Sequence, residues 1–145
     1  MRIRIVTLYV ILILTSIPPM EHILAAELVI IANKNVPEDT IKKEELKDIF
    51  TNRKTRWSDD SKIRIIENRE ESTNELFMRE YVNKTPRQFM LYWRNQLFKG
   101  MGSIPPYADT SKGIIDIVKE TDGAISYIYI DKAAETPDVK IIQVQ

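Results

Sequence analysis

The sequence predicts an α/β fold, a single three-layer α/β lobe with helices on both faces of a mixed sheet. Three observations predict it. Leu28 to Ala32 (LVIIA) and Ala124 to Ile130 (AISYIYI) are apolar runs too short for helices and rich in β-branched and aromatic residues. Between them, apolar residues recur at helical spacing in four separate segments. The resulting order of strand, helix, strand, helix, helix, helix, strand, strand fits a layered domain, and 145 residues suffice for one compact domain but not two.

The ends of the chain set its context. Met1 to Arg4 is a short basic segment, Ile5 to Ile17 is an apolar run, and Leu24-Ala25-Ala26 ends in small residues, the pattern of an export signal. The run is shorter than the roughly 20 residues a spanning helix needs, and Pro18-Pro19 closes it. The expectation is cleavage near Ala26, leaving residues 27–145 as the domain in the periplasm or outside the cell. With no cysteine there is neither a lipidation site of the lipoprotein kind nor a disulfide framework.

Cleavage removes Arg2, Arg4 and Glu21, leaving 19 bases and 20 acids. So balanced a charge supplies no global field for nucleic acid or an anionic membrane. It also removes His22, the only histidine. Without His or Cys, the domain has no Ser-His or Cys-His nucleophile system and no ordinary N/S zinc site. A non-enzyme without cofactor or metal is expected. Glu67 and Glu71, the one carboxylate pair worth weighing, read as a solvated loop.

In order, Leu28 to Ala32 reads as a central, parallel strand buried on both faces. Asn33 to Asp39 is a polar loop. Leu46, Ile49 and Phe50 fall on one face of a short helix from Lys43 to Phe50. Arg53, Lys54, Arg56 and Trp57 look like a nucleic-acid patch, but Asp59 and Asp60 follow at once, so Trp57 reads as a packed loop anchor. Asp59-Asp60 lacks further ligands for a metal. Thr85-Pro86-Arg87-Gln88 opens a helix with a capping box and Pro at the first helical position, and Phe89, Trp93 and Leu97, with Met90 and Phe98 beside them, form a core stripe. Lys99 to Tyr107 (KGMGSIPPY) is a loop and a candidate rim from Gly100 to Tyr107. Thr110 or Ser111 caps a helix that buries Ile114, Ile115, Ile117 and Val118, and Asp122-Gly123 ends it. Asp131 to Glu135 makes a turn, and Val139 to Val144 is the closing strand.

Glu67 to Tyr81 (ENREESTNELFMREY) is the organising stretch. The short run Ile63 to Ile66 hands over to a helix carrying Leu76, Phe77 and Tyr81. Ser72 followed by Glu75 is a capping-box pattern, and the helix start, with Arg69 beside it, offers N–H groups and positive charge to an anion. The plainer reading is a cap worth about 1 kcal/mol and a surface arginine among Glu67, Glu70 and Glu71.

Three blocks together resemble the type 2 periplasmic binding proteins, and among them the phosphate ABC-transporter substrate-binding proteins. Glu45 to Phe50 with Trp57-Ser58-Asp59-Asp60 is similar to the family's Leu and Ile-Phe run before a Trp-acidic turn. Arg69 to Phe77 falls where the family has an arginine followed by Ser-Gly-Thr opening a helix. Gly123 to Ile128 is similar to its Gly-Ala-Ile-Gly-Tyr-Val strand. The resemblance implies Arg69, Ser72 and Thr73 as phosphate or oxyanion contacts, and an ABC permease, a membrane sensor or a second copy of the chain as partner. The family's loop glycines are absent here, and its members have two lobes. Three charge-assisted hydrogen bonds supply roughly 4.5–9 kcal/mol, association costs at least about 4, and micromolar binding needs a net of about 8. An open half-site therefore binds phosphate only weakly. The alternative is a protein-interaction or sensory accessory module that keeps the scaffold without a working pocket.

Overall fold

A computed structural model describes residues 27–130 and 137–145. The export signal expected over residues 1–26 and the turn expected at Asp131 to Glu135 lie outside the described residues. The strands are β1 (Glu27–Ala32), β2 (Thr40–Ile41), β3 (Arg64–Ile65), β4 (Glu67–Asn68), β5 (Tyr107–Ala108), β6 (Ala124–Ile130) and β7 (Lys140–Val144). Five form one sheet in the order β2-β7-β1-β6-β3, and β4 pairs with β5 in a separate two-stranded ladder. The helices are α1 (Lys43–Phe50), α2 (Glu71–Phe77), α3 (Pro86–Phe98) and α4 (Ser111–Glu120).

β1 is central, as its apolar run predicts, but it is antiparallel to both neighbours: Ile30 lies opposite Tyr127 on β6 and Ile142 on β7. The parallel expectation fails because burial on both faces reports only that both faces are covered, whatever the strand direction. The sheet is mixed nonetheless, since β2 runs parallel to β7 and β3 to β6. Side chains alternate between two cores. Ile30, Ala32, Ile125, Tyr127 and Ile142 join the layer that includes Phe50, Phe77, Phe89 and Trp93. Ile31, Ala124 and Ile128 join the layer that includes Ile114 and Val118 of α4.

α1 matches its expected bounds and buries Leu46, Ile49 and Phe50. Trp57 is 3 % exposed, and its Nε1–H donates to the Gly123 carbonyl at 3.0 Å, so it pins the end of the sheet. The bases around it pair with acids: Arg53 with Asp48, Lys54 with Glu45, Arg56 with Asp60.

An aromatic stack joins the second helix to the sheet. Phe77 lies flat on Tyr127 with centroids 3.6 Å apart and planes 4° apart, and Phe50 meets the edge of Phe77 at 4.7 Å. Each buried ring contributes about 1.5–3 kcal/mol by burial, and each favourable pair about 0.5–1.5 more. α2 then widens into a π-helical turn, Met78–Val82, closed by Asn83 in the left-handed region at φ 57°. The wide turn rephases the helix so that Phe77, Met78 and Val82 are all fully buried.

α3 begins with the expected capping box: the Gln88 N–H donates to Thr85 Oγ1 at 3.1 Å, and the Thr85 N–H donates to Gln88 Oε1 at 2.9 Å. It ends in a Schellman motif, with Gly100 at φ 68°, Gly100 N–H donating to Leu97 at 3.0 Å and Met101 N–H to Gln96 at 2.9 Å. The core stripe is narrower than expected. Phe89 and Trp93 are buried, whereas Met90, Leu97 and Phe98 are exposed. Spacing identifies an apolar face, but this helix carries two of them and the core takes one.

Thr110 caps α4, accepting from the Gly113 N–H at 3.1 Å. Ile114 and Val118 are fully buried and Ile115 and Ile117 partly so. The turn into β6 needs glycine. Gly123 has φ 72°, and a Cβ there would sit 2.2 Å from the Lys62 carbonyl oxygen. Gly123→Ala is therefore expected to destabilise by at least about 1–3 kcal/mol, read as a lower denaturation midpoint. Burial, then the Glu67 charge, raises the Tyr127 pKa well above 10.0. Because the folded state holds this proton more tightly, its contribution is complete below the ordinary tyrosine value and lost as pH rises beyond it. Alkaline titration followed by tyrosinate absorbance should show Tyr127 ionising only as the fold is lost, after the exposed tyrosines; ionisation of every tyrosine in a still-folded protein would contradict this.

Candidate functional site

The junction between β4 and α2 gathers the polar residues singled out by sequence. β4 leaves the main sheet because its partner is β5: Glu67 N–H donates to Pro106 and Arg69 N–H to Ala108, each at 2.8 Å. Asn68 is fully buried. Its Nδ2 donates to the Tyr127 carbonyl at 3.0 Å, and its Oδ1 accepts the Glu70 N–H at 2.9 Å. The Tyr127 hydroxyl is 3.1 Å from the Asn68 carbonyl and 3.0 Å from Asn74 Oδ1, giving its proton two buried acceptors. Ser126 Oγ donates to the Ile66 carbonyl at 2.8 Å. Nearly every polar group at the back of the junction is thus satisfied internally, as burial requires.

The capping box expected at Ser72 and Glu75 is absent. The N-cap is Glu70 and the helix already begins at Glu71, so Ser72 is one residue inside it. The Asn68 side chain starts the helix early by holding the Glu70 N–H, which outcompetes the serine pattern.

Arg69, Ser72 and Thr73 have different surroundings. The Arg69 guanidinium places Nε and Nη2 each 2.9 Å from Glu67 Oε2 and lies 3.5 Å from the centroid of the Tyr107 ring. Glu67, expected on a solvated loop, is 4 % exposed. Strand pairing of β4 with β5 turns it inward, and Arg69 is its counter-ion. Thr73 is fully buried, and its hydroxyl donates to Glu70 Oε2 at 3.0 Å. Ser111 Oγ, at the start of α4, donates to the same oxygen at 2.8 Å. Ser72 is exposed. Around the helix start, therefore, one carboxylate takes the guanidinium and another takes two hydroxyls. The Glu70 charge also lies where the helix dipole favours an anion.

A cavity of about 370 Å³ opens beside Arg69, bounded by Glu67, Asn74, Glu75, Pro86 and Met90, with Glu71 and Arg87 at its walls. Three carboxylates to two guanidiniums is a poor setting for a small anion. The Gly100 to Tyr107 loop does not rim this cavity: Gly102, Ser103, Pro105 and Pro106 line another one, about 340 Å³, against Trp93. Only Tyr107 reaches Arg69. Sequence reasoning missed Asn68 and Asn74, and it placed Tyr107 on a rim and Ser111 at a cap where the structure sets them against Arg69 and Glu70. No local pattern marks Asn68 or Asn74 for these roles, since each lies between polar residues in the sequence and acts across the fold. Among the described residues no group of His, Cys, Asp or Glu could hold a metal ion, and no helix is long and apolar enough to cross a membrane.

No curated protein matches the sequence. The fold is similar to that of several solved structures. A protein from Clostridium perfringens, described as a phosphate ABC transporter substrate-binding protein and solved with bound phosphate, superposes with TM-score 0.62 at 20 % identity, covering 82 % of this chain and 45 % of that one. An ABC-type phosphate transport receptor from Vibrio cholerae gives 0.59 at 18 %, over 82 % and 47 %. PstS from Borrelia burgdorferi gives 0.59 at 17 %, over 82 % and 47 %. The chain spans less than half the length of each. A family model described as a PBP superfamily domain matches residues 21–141, and with the mixed sheet covered on both faces this makes the chain a member of the PBP superfamily.

Proposed function

We propose that this is an exported, binding-protein-like lobe that works through protein contacts, as an interaction or sensory accessory module, rather than by carrying a solute. The observation that carries the reading is the commitment of Arg69 to Glu67 and of Thr73 and Ser111 to Glu70. An incoming oxyanion has to displace these carboxylates. Three charge-assisted hydrogen bonds return roughly 4.5–9 kcal/mol, association costs at least about 4, and stripping the partner from the buried Glu67 costs about 3–5. What is left amounts to at most about 2 kcal/mol, short of the roughly 4 that even millimolar affinity requires.

The second reading is carriage of phosphate or a related oxyanion for an ABC transporter through Arg69, Ser72 and Thr73, with a permease or a second copy closing the site. The solved neighbour with bound phosphate favours it, as does the order of arginine, serine and threonine around one helix start. Neither reading involves catalysis.

Calorimetric titration of the exported protein with inorganic phosphate separates the two. The first reading expects no saturable heat up to millimolar phosphate. Saturation at micromolar phosphate, lost in Ser72→Ala, would establish the second. Ser72 is the clean probe because it is exposed; Arg69→Ala would strand a buried Glu67 charge and cost about 3–5 kcal/mol of stability whatever the ligand. The double variant Glu67→Gln/Glu70→Gln, which keeps both side chains but removes their charge, is expected to gain phosphate binding at about millimolar Kd.

A further inference from the structure

The second apolar face of α3 is left exposed among the described residues. At 100° per residue, Met90, Leu91, Leu97 and Phe98 fall within an arc of about 120° that begins about 40° round the helix from the buried Trp93. Phe98 is 89 % exposed, and Met101 and Ile104 in the following loop are exposed as well. The Schellman motif holds this tip in a defined shape, because the Gly100 and Met101 N–H groups are both bonded back to the helix.

Charge is segregated in the same place. Residues 82–108 contain Lys84, Arg87, Arg94 and Lys99 and not one Asp or Glu. None of these four bases has a carboxylate partner among the described residues. Outside this stretch, residues 27–145 hold 15 bases and 20 acids, so the near-neutral total conceals a cationic, apolar end on an otherwise acidic body. Arg94 and Arg87 lie inside the apolar arc, where their long stems can lie along apolar surface and their heads reach a polar boundary.

We propose that the C-terminal half of α3 and the tip Lys99 to Ile104 dock on the surface of an anionic lipid bilayer. Apolar side chains flanked by unpaired bases complement an anionic headgroup layer over acyl chains. The surface is a ridge: the cavities beside Arg69, Thr85 and Trp93 are not lined by Leu91, Leu97, Phe98, Met101 or Ile104, and a bilayer needs no matching groove. A second copy is a poor occupant, since symmetric antiparallel pairing centred on the exposed stretch Met90 to Phe98 sets Arg94 against Arg94, with no acid on α3 to separate them. The inference stands whether or not the β4–α2 junction takes an anion.

The test is co-sedimentation of the exported protein with vesicles containing phosphatidylglycerol, against vesicles of phosphatidylcholine alone. Binding to the anionic vesicles is expected, weakening as salt rises. Arg94→Gln should reduce the partition coefficient about fivefold, and Phe98→Ser about tenfold or more. Both residues are exposed, so circular dichroism should show an unchanged fold. Absence of partitioning at low salt overturns the proposal, as does binding that Phe98→Ser leaves intact. Loss of a protein complex in Phe98→Ser, with no vesicle binding by the parent, also overturns it and assigns the ridge to a groove on a protein.

Discussion

The flat stack of Phe77 on Tyr127 is the contact on which the rest depends. Tyr127 is fully buried in β6, and its ring gives α2 a surface to lie on while its hydroxyl and carbonyl hold Asn74 and Asn68. One residue thus fixes the helix by dispersion and the preceding strand by hydrogen bonds. The cost of burying its hydroxyl and the Asn68 amide is offset because the hydroxyl meets the Asn68 carbonyl and Asn74 Oδ1, while the Asn68 side chain bonds the Tyr127 carbonyl and the Glu70 N–H. Everything at the helix start inherits its position from this anchor, including Glu67, Arg69 and Glu70.

Much of this was legible in the sequence, for physical reasons that differ by element. α1 could be bounded because burial of its apolar residues follows the helical period, and β6 because its apolar run is buried nearly throughout. The start of α3 was legible because a capping box and a proline are satisfied within four residues. Trp57 was readable as an anchor because acids follow its neighbouring bases at once. The strand direction of β1 was not legible, since both orientations bury the same side chains. The Ser72 cap failed because Asn68, four residues earlier, competes for the same backbone through a partner 59 residues away.

The junction illustrates how far a local motif can travel from its chemistry. Arginine, serine and threonine in order around a helix start suggest an anion site, but their availability depends on groups the motif does not contain. Glu67 becomes buried only because β5 turns β4 away from the main sheet, and Ser111 meets Glu70 only because α4 starts beside α2. Carboxylates supplied by the chain meet the electrostatic demand that an external anion would otherwise meet. A cradle stabilised in this way contributes to folding, and it links the charge pattern of one loop to the packing of two helices.

The wide turn at Met78–Val82 carries a consequence for how this lineage tolerates change in length. Its extra residue lets three inward side chains share a helix whose regular pitch would have sent one of them to water. Loss of a single residue such as Arg79 or Glu80 would restore ordinary winding and set Val82 four positions after Phe77, about 40° round the helix from it and still inward. The wide turn is therefore a place within a helix where the chain can lose one residue and keep its apolar face on the core.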